Sequence, residues 1–509
     1  MKPDFRRSMI WLHTYSGLMI GWLLFTIFLT GTLSYFNPEI TQWMKPELVH
    51  VSSSDNMIDR SITELHKKGI DADIWRIYLP DNRTQHWTIQ WSDGKKRQNL
   101  SLGPKEGEVV TPRESAGGNF FRVFHYTLQL RRYGGRYIAG IAAMFMIVAI
   151  FSGIFTHRRF FRDFFTLRLS KLSKTLTDFH AIAGVVTIPF CLMICTSGIM
   201  IYVIMFMPFS AEKYADGARK LSQTLSPGLV EINKNAKKES PISDFYVVQR
   251  QIKAQWPGEK QIRRITFEQP FSQDGRIIVD RIKDLTVSRQ SDRLVFSSHT
   301  GEALTGYPQV STATQVRRVF FGLHEAHFAD IGLRWLLFLL GLLSTALIAT
   351  GLIIWLNKRL DKVKQRHIGH FIVERLNIAT IIGLPLAIIT YFMSNRLLSI
   401  DIENRASAEI QVFLLAWIVC FLHSFLRPAR KAWIEQLLIG ALACYLLPII
   451  DLYQDSQRMK DAIINANYTY LTFNVFILLT GVALMKIALW LSAKNPNLYL
   501  SKTKANKLC

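Results

Sequence analysis

"TDFHAIAGVVTIPFCLMICTSGI", residues 177–199, is almost uniformly apolar and long enough to cross a bilayer as one helix. Near its start stands one ionisable ring, His180, which is costly beside hydrocarbon unless something employs it. The chain around this stretch has 509 residues, 49% of them hydrophobic, and a formal net charge of +23. The apolar residues gather into long runs and the basic residues gather between some of them. That is the pattern of an integral membrane protein whose charge sets its orientation in the lipid bilayer. The basic clusters flank hydrophobic spans and form no folded basic patch, so nucleic acid is excluded as a partner.

Eight runs qualify as spans, at about 11–36, 137–156, 181–208, 333–356, 371–393, 410–426, 432–450 and 470–491. "MKPDFRR" could open a signal peptide, but the following run is too long for one and "TGTLSYFNPE" offers no small-residue cleavage site, so 1–36 reads as an uncleaved first helix. The loops after the even-numbered spans, among them "HRRFFRDFFTLRLSKLSK" and "NKRLDKVKQRH", are strongly basic, whereas "SNRLLSIDIENRASAE" and "DLYQDSQRMKD" are mixed or acidic. Both termini are therefore expected in the cytoplasm.

The resulting organisation is a first span (1–36), a polar segment (37–136), a second span (137–157) and a basic cytoplasmic loop (158–180). A third span (181–208), a second polar segment (209–332) and a fourth span (333–356) follow, then a four-helix membrane extension (371–491) and a cytoplasmic tail (492–509). Each polar segment reads as a small α+β extracytoplasmic domain. "WRIYL" and "HWTIQWSDGKK" alternate like strands, with Asp-Gly as a hairpin turn. "SDFYVVQRQIKAQW" reads as a helix, followed by strand-like "RRITFEQP", "GRIIVDRI" and "DRLVFSSHTGEAL". Neither segment carries Gly-x-Ser-x-Gly or His-Glu-x-x-His. Four of the five cysteines (Cys191, Cys195, Cys420, Cys444) lie in apolar runs and Cys509 is the last residue, so no disulfide framework is implied. No Cys-x-x-Cys-His is present for covalent haem attachment.

The first half of the chain repeats itself. His13 precedes Gly31 by 18 residues and His180 precedes Gly198 by 18, and both open a His-x-x-x-Gly. His125 precedes Gly153 by 28 residues and His324 precedes Gly351 by 27. Residues 1 to about 360 are thus two copies of helix–domain–helix. On the expected topology His13 and His180 share the cytoplasmic face, and His125 and His324 share the outer one. Two imidazoles per face, each from a different helix, is what axial ligation of a haem iron requires. Gly17, Gly21 and Gly184 would let a flat macrocycle approach the helices. Taken singly, each histidine also fits a polar tip at a wet interface. His157 is a further candidate on the inner face and His327, three residues after His324, on the outer; the sequence does not choose between them. A zinc site at His324 and His327 lacks further ligands.

The segments "WLHTYSGLMIGWLLFTIFLTGTL", "FHYTLQL…YIAGIAAMFMIVAIFSGIFTHRRFFRDFFTLR", "DFHAIAGVVTIPFCLMICTSGIMIY" and "GLHEAHFADIGLRWLLFLLGLLSTALIATGLIIW" resemble, in that order, the PepSY-associated transmembrane family over about residues 8–360. Members resemble iron-regulated inner-membrane proteins, including di-haem ferric-siderophore reductases of Gram-negative bacteria. The resemblance implies a bacterial inner-membrane protein whose 209–332 segment is PepSY-like, with two b-type haems on His13, His180, His125 and His324 (alternates His157 and His327). It implies electron transfer from a cytoplasmic or quinol donor to a periplasmic ferric siderophore, a hydroxamate or similar chelate, with release of Fe(II). Trp75, Trp87, Trp91 and Arg76 are candidates to hold the chelate, and His423, Tyr391 and Tyr445 to shape a quinol pocket. The basic loop could dock an acidic reductase or face lipid headgroups. Two rivals stand beside this reading: a transporter, which would also show a repeat, and a haem-free regulatory membrane protein that binds a partner.

Overall fold

The computed structural model describes residues 3–48, 55–81, 83–84, 86–93, 97–103, 108–156, 168, 172–207, 209, 242–256, 262–281, 286–288, 292–304, 312–363, 365–464 and 467–493. The described helices are α1 (Pro3–Ser34), α2 (Asn37–Met44), α3 (Asp55–Lys68), α4 (Asn119–Thr127), α5 (Gly135–Thr156), α6 (Leu172–Ile201), α7 (Val203–Phe206) and α8 (Phe245–Gln255). They continue with α9 (Thr312–Glu325), α10 (Ile331–Leu360), α11 (Ile368–Ile381), α12 (Gly383–Leu397), α13 (Arg405–Leu426), α14 (Ala429–Gln454), α15 (Ser456–Ile464) and α16 (Tyr468–Ala493). The chain forms two compact units. One comprises Met1–Met44, Glu114–Ile199 and Asp330–Cys509; the other comprises Lys45–Arg113 and Met200–Ala329.

The first unit is the membrane unit. Among its described residues eight helical stretches are long and apolar enough to cross a membrane. They outrun the apolar cores seen in the sequence, because a helix keeps its backbone bonds past the edge of the hydrocarbon. Thus α6 starts at Leu172, and the last nine residues of the expected 158–180 loop, His180 among them, are helical. Helix α10 starts where the Asp330 carboxylate caps the Leu333 N–H at 2.8 Å. The fifth stretch breaks at Ile382, because Pro385 has no N–H to bond back and its ring crowds the preceding turn.

The last helices close around charges that the hydropathy pattern hides. Arg396 donates to Asp451 at 2.6 Å and to the Trp43 carbonyl at 2.7 Å; Asp451 also accepts from Arg458 and from the Tyr470 hydroxyl. Arg405 pairs with Glu409, which accepts from Asn395 at 2.7 Å and Ser115 at 2.6 Å. The four side chains of the Arg396–Asp451 and Arg405–Glu409 pairs are fully buried. These pairs join α12, α13 and α14 to α2 and to the segment leading into α4.

The second unit is built on one antiparallel sheet of seven strands in the order β4-β3-β2-β1-β5-β6-β7. The strands are β1 (Ile74–Tyr78), β2 (Trp87–Ser92), β3 (Arg97–Leu102), β4 (Val109–Val110), β5 (Ile262–Glu268), β6 (Arg276–Arg281) and β7 (Asp292–Ser297). Where the sequence reads two small domains, the structure has one: β1 and β5 pair with Trp75 opposite Phe267, so each half covers what would be the other's open edge. Each half is a helix followed by a three-stranded meander, α3-β1-β2-β3 and α8-β5-β6-β7, so the repeat extends through this unit. Trp75, Trp87, Ile89, Val248, Ile265, Phe267 and Phe296 form its shared core. On the opposite face, burial pushes the Asp280 carboxyl up, but Arg293 and Arg264 outweigh it and hold it below its ordinary value.

Cutting one arm of the membrane unit's buried network leaves a charge without its counter-ion. Glu409→Leu strands the Arg405 guanidinium, and we expect a loss of about 3–5 kcal/mol, measured as the unfolding free energy of the detergent-solubilised protein. A loss under about 1 kcal/mol would show that the pair contributes no more than a surface bridge.

Candidate functional site

The third-span histidine and its first-span counterpart face each other. The rings of His13 on α1 and His180 on α6 have centroids 6.3 Å apart and planes inclined by 67°. They line a cavity of about 370 Å³, within the size range of small-molecule and cofactor sites. Its walls come from α1, α5, α6 and α10 and are mostly apolar, including Leu24, Met146, Ile188 and Leu352.

Each ring is held in the same way. His13 Nδ1 lies 2.8 Å from the Ala149 carbonyl, and His180 Nδ1 lies 3.0 Å from the Leu347 carbonyl. A carbonyl only accepts, so Nδ1 must carry the proton and Nε2 is left as the free coordinating atom. Each accepting carbonyl sits four residues before a glycine, Gly153 or Gly351. In a helix the carbonyl of residue i bonds the N–H of residue i+4, so a bulky ring from a neighbouring helix approaches its second lone pair most easily where residue i+4 has no side chain. A Cβ on Gly153 would stand 3.1 Å from His13 Cε1, and one on Gly351 would stand 3.0 Å from His180 Cε1. Before each glycine is a hydroxyl, Ser152 or Thr350, that donates to the same carbonyl at 3.2 Å or 2.9 Å. Glycine, hydroxyl and carbonyl together make a seat for an imidazole.

The third ring is seated alike. His125 Nδ1 lies 2.8 Å from the Ile27 carbonyl, four residues before Gly31, and Thr30 donates to that carbonyl at 3.3 Å. A Cβ on Gly31 would come within 2.6 Å of His125 Nδ1. The seats are crosswise: the first-span histidine uses the second-span glycine, and His125, ahead of the second span, uses the first-span glycine. Helix α4, which carries His125, is gripped by the extension. The Phe120 ring lies 4.7 Å from Tyr391 and 4.9 Å from Phe413, and Phe124 lies 5.4 Å from Phe413. The Tyr391 hydroxyl donates to the Gly117 carbonyl at 3.0 Å.

A fourth Ser/Thr–Gly pair, Ser197–Gly198, carries the same bond, from the Ser197 hydroxyl to the Ile194 carbonyl at 3.1 Å. His324 lies on α9 in the second unit, and His327 Nε2 is 2.8 Å from the Glu325 carboxylate there. His157 lies outside the described residues. The repeated Ser/Thr–Gly dipeptides (Thr30–Gly31, Ser152–Gly153, Ser197–Gly198, Thr350–Gly351) are legible in the sequence and signal the seats, which the spacing alone does not reveal.

The other candidates separate. A Cβ on Gly17 would meet nothing within 4 Å, and on Gly184 only Leu347 at 3.7 Å, so these two residues, each four after a facing histidine, keep the cavity open. Gly21 instead admits Leu352, 2.6 Å from its would-be Cβ, and serves helix packing. Trp75 and Trp87 are fully buried, with indole N–H groups donating to the Gly69 carbonyl and the Ser61 hydroxyl. They are core residues, because alternation along β1 and β2 turns them inward. Arg76, on the other face, donates to Gln90 at 3.3 Å, and Trp91 is only partly buried. His423 pairs with Glu435 at 2.9 Å at the end of α13, and Tyr445 lies on α14. Asp178 receives a two-pronged bond from Arg168 at 2.7 and 2.9 Å, which anchors the chain just ahead of α6. Cys191, Cys195, Cys420 and Cys444 are buried and unpaired.

The site fits a bis-imidazole metal centre. Two imidazoles that shared one iron, each nitrogen about 2 Å from it, would have ring centres about 6 Å apart. That matches the 6.3 Å observed. In ¹⁵N-histidine-labelled protein in lipid, solid-state NMR should find His13 and His180 protonated at Nδ1 and not at Nε2. An Nε2–H signal from either ring would contradict the seat.

No curated protein matches the chain. The model of the PepSY-associated TM region matches residues 10–358, a stretch that takes in the first four spans and His13, His125, His180 and His324. By that match over more than half its length, the chain belongs to the PepSY-associated TM region family.

Proposed function

We propose that this membrane protein is a di-haem b-type electron carrier that reduces ferric siderophores on the outer side of the bacterial inner membrane and releases Fe(II). The observation that carries the reading is the pair of seated imidazoles of His13 and His180, whose free Nε2 atoms border one cavity. A bound b-type haem cycles between ferric and ferrous states and so passes one electron at a time.

His13 and His180 would hold the inner haem. Their Nδ1–H bonds to helix carbonyls fix each ring's rotation and tautomer, and the helices fix its position. His125 would serve the outer haem from a seat of the same build, with His324 as its partner by the repeat in the sequence. The substrate is a ferric chelate, hydroxamate or similar. Gaining one electron converts its iron to Fe(II), which hard oxygen ligands hold less tightly. No general base or nucleophile is needed, in keeping with an extramembrane unit whose tryptophans serve its core. With Trp75 and Trp87 committed to the core and Trp91 packed against it, Arg76 on the opposite face remains as the chelate-facing candidate. The electron donor is a quinol or a cytoplasmic reductase, because the loops on the expected cytoplasmic side are too short for a nucleotide-binding domain. The excess of Lys and Arg in those loops supports termini in the cytoplasm.

Purified full-length protein, expressed with ample haem, should show a Soret band and a split reduced α-band, with two haems per chain. After anaerobic reduction with dithionite, a ferric hydroxamate should reoxidise it. A colourless preparation would overturn the haem reading. A coloured protein that stays reduced with the chelate would overturn the reductase role alone.

A further inference from the structure

We propose that the His13–His180 cavity contains a built anion subsite on the last turns of α10, formed by Trp355, Lys358 and Arg359, which takes the carboxylate edge of the bound macrocycle. The inference rests on the haem reading of that cavity and adds which edge of the ligand points where.

Three observations carry it. First, Trp355, Lys358 and Arg359 all line the cavity, and no Asp or Glu does. At i, i+3 and i+4 they share one face of the helix. Second, among the described residues neither cation has a carboxylate partner: Arg359 lies over the Trp355 ring at 3.8 Å and the Tyr15 ring at 5.6 Å, and Lys358 makes no ion pair. Third, the Trp355 indole Nε1 is buried and has no hydrogen-bond acceptor in the protein. A buried donor without an acceptor costs about 1–3 kcal/mol, and an apolar wall of the same shape would avoid that cost.

Cations in a last helical turn are ordinary, since they oppose the helix dipole and set orientation in the bilayer. That accounts for Lys358 and Arg359 being basic. It does not account for an indole N–H left unpaired beside them at the rim of an apolar cavity. One ligand chemistry satisfies all three groups: an acceptor-rich anionic edge on an otherwise flat apolar body. The pair of propionates on a b-type haem is such an edge. Carboxylate at Arg359 and Lys358 would form charge-assisted bonds, and the indole would donate to the same group. Gly17 and Gly184 leave room for the apolar body next to the two rings.

The test compares hemin with hemin dimethyl ester, in which both carboxylates are blocked, on haem-depleted full-length protein. Wild type should bind hemin roughly tenfold or more tightly than the ester. In Lys358→Gln with Arg359→Gln that preference should fall to about threefold or less, with ester affinity unchanged. Trp355→Phe, which keeps the ring and removes the N–H, should weaken hemin severalfold and leave the ester alone. If wild type binds both forms equally and still gives a six-coordinate spectrum, the anion subsite is wrong and the His13–His180 ligation stands. If wild type binds neither form, the haem reading falls and this inference with it. Because the first comparison is made on wild type, a variant that fails to fold does not rescue the proposal.

Discussion

Everything about the site depends on one contact, an imidazole N–H donated to the carbonyl of a transmembrane helix through the gap that a glycine leaves. Helix carbonyls in hydrocarbon are already bonded along the helix, and side chains shield their second lone pairs. Removing one side chain opens one lone pair, and a histidine from the neighbouring helix can reach it. The bond fixes ring position and tautomer together, and at His13 and His180 it leaves Nε2 free. It is made at His13, His180 and His125 with the same glycine, the same preceding hydroxyl and the same four-residue offset. Two seats within the first copy, and one of them repeated in the second, make it a device of the fold rather than an accident of packing.

The device also explains why the chain is duplicated. One helix–domain–helix copy seats its histidines crosswise on its own two spans. Two copies bring one ring from each, His13 and His180, to opposite sides of a shared cavity. The extramembrane unit follows the same logic, since its two halves complete one sheet through β1 and β5. The C-terminal extension, outside the repeat and outside the family match, has a role in the membrane unit. Tyr391 and Phe413 grip the helix that carries His125, and the buried Arg396–Asp451 and Arg405–Glu409 pairs hold those helices in place.

Much of this was legible in the residues. Span number, the repeat and the three seated histidines, His13, His180 and His125, follow from apolar runs and from constant intervals, because hydrocarbon thickness and duplication both leave marks at long range. The helix ends did not follow, since hydropathy detects hydrocarbon and not the backbone bonds that continue beyond it; His180 is therefore helical where a loop was expected. The single sheet was not legible either. Pairing between β1 and β5 joins residues nearly 200 positions apart, and alternation within a strand carries no address for its neighbour. The same alternation turns Trp75 and Trp87 inward, which residue type alone does not tell. In the sequence the glycines mark the repeat, but their work as ring seats appears only when the opposite helix is in place. The buried charges of the extension escaped because each pair is split between separate spans or sits at a span end, where charge is unremarkable in sequence.

The central claim is that His13 and His180 ligate one and the same iron, and haem stoichiometry in single and double variants tests it most directly. His13→Ala and His180→Ala should each lower the content from two haems to one per chain with the same spectral component lost, and the double variant should lose no more. Loss of different components in the two single variants, or a full complement of haem in either, would contradict the account.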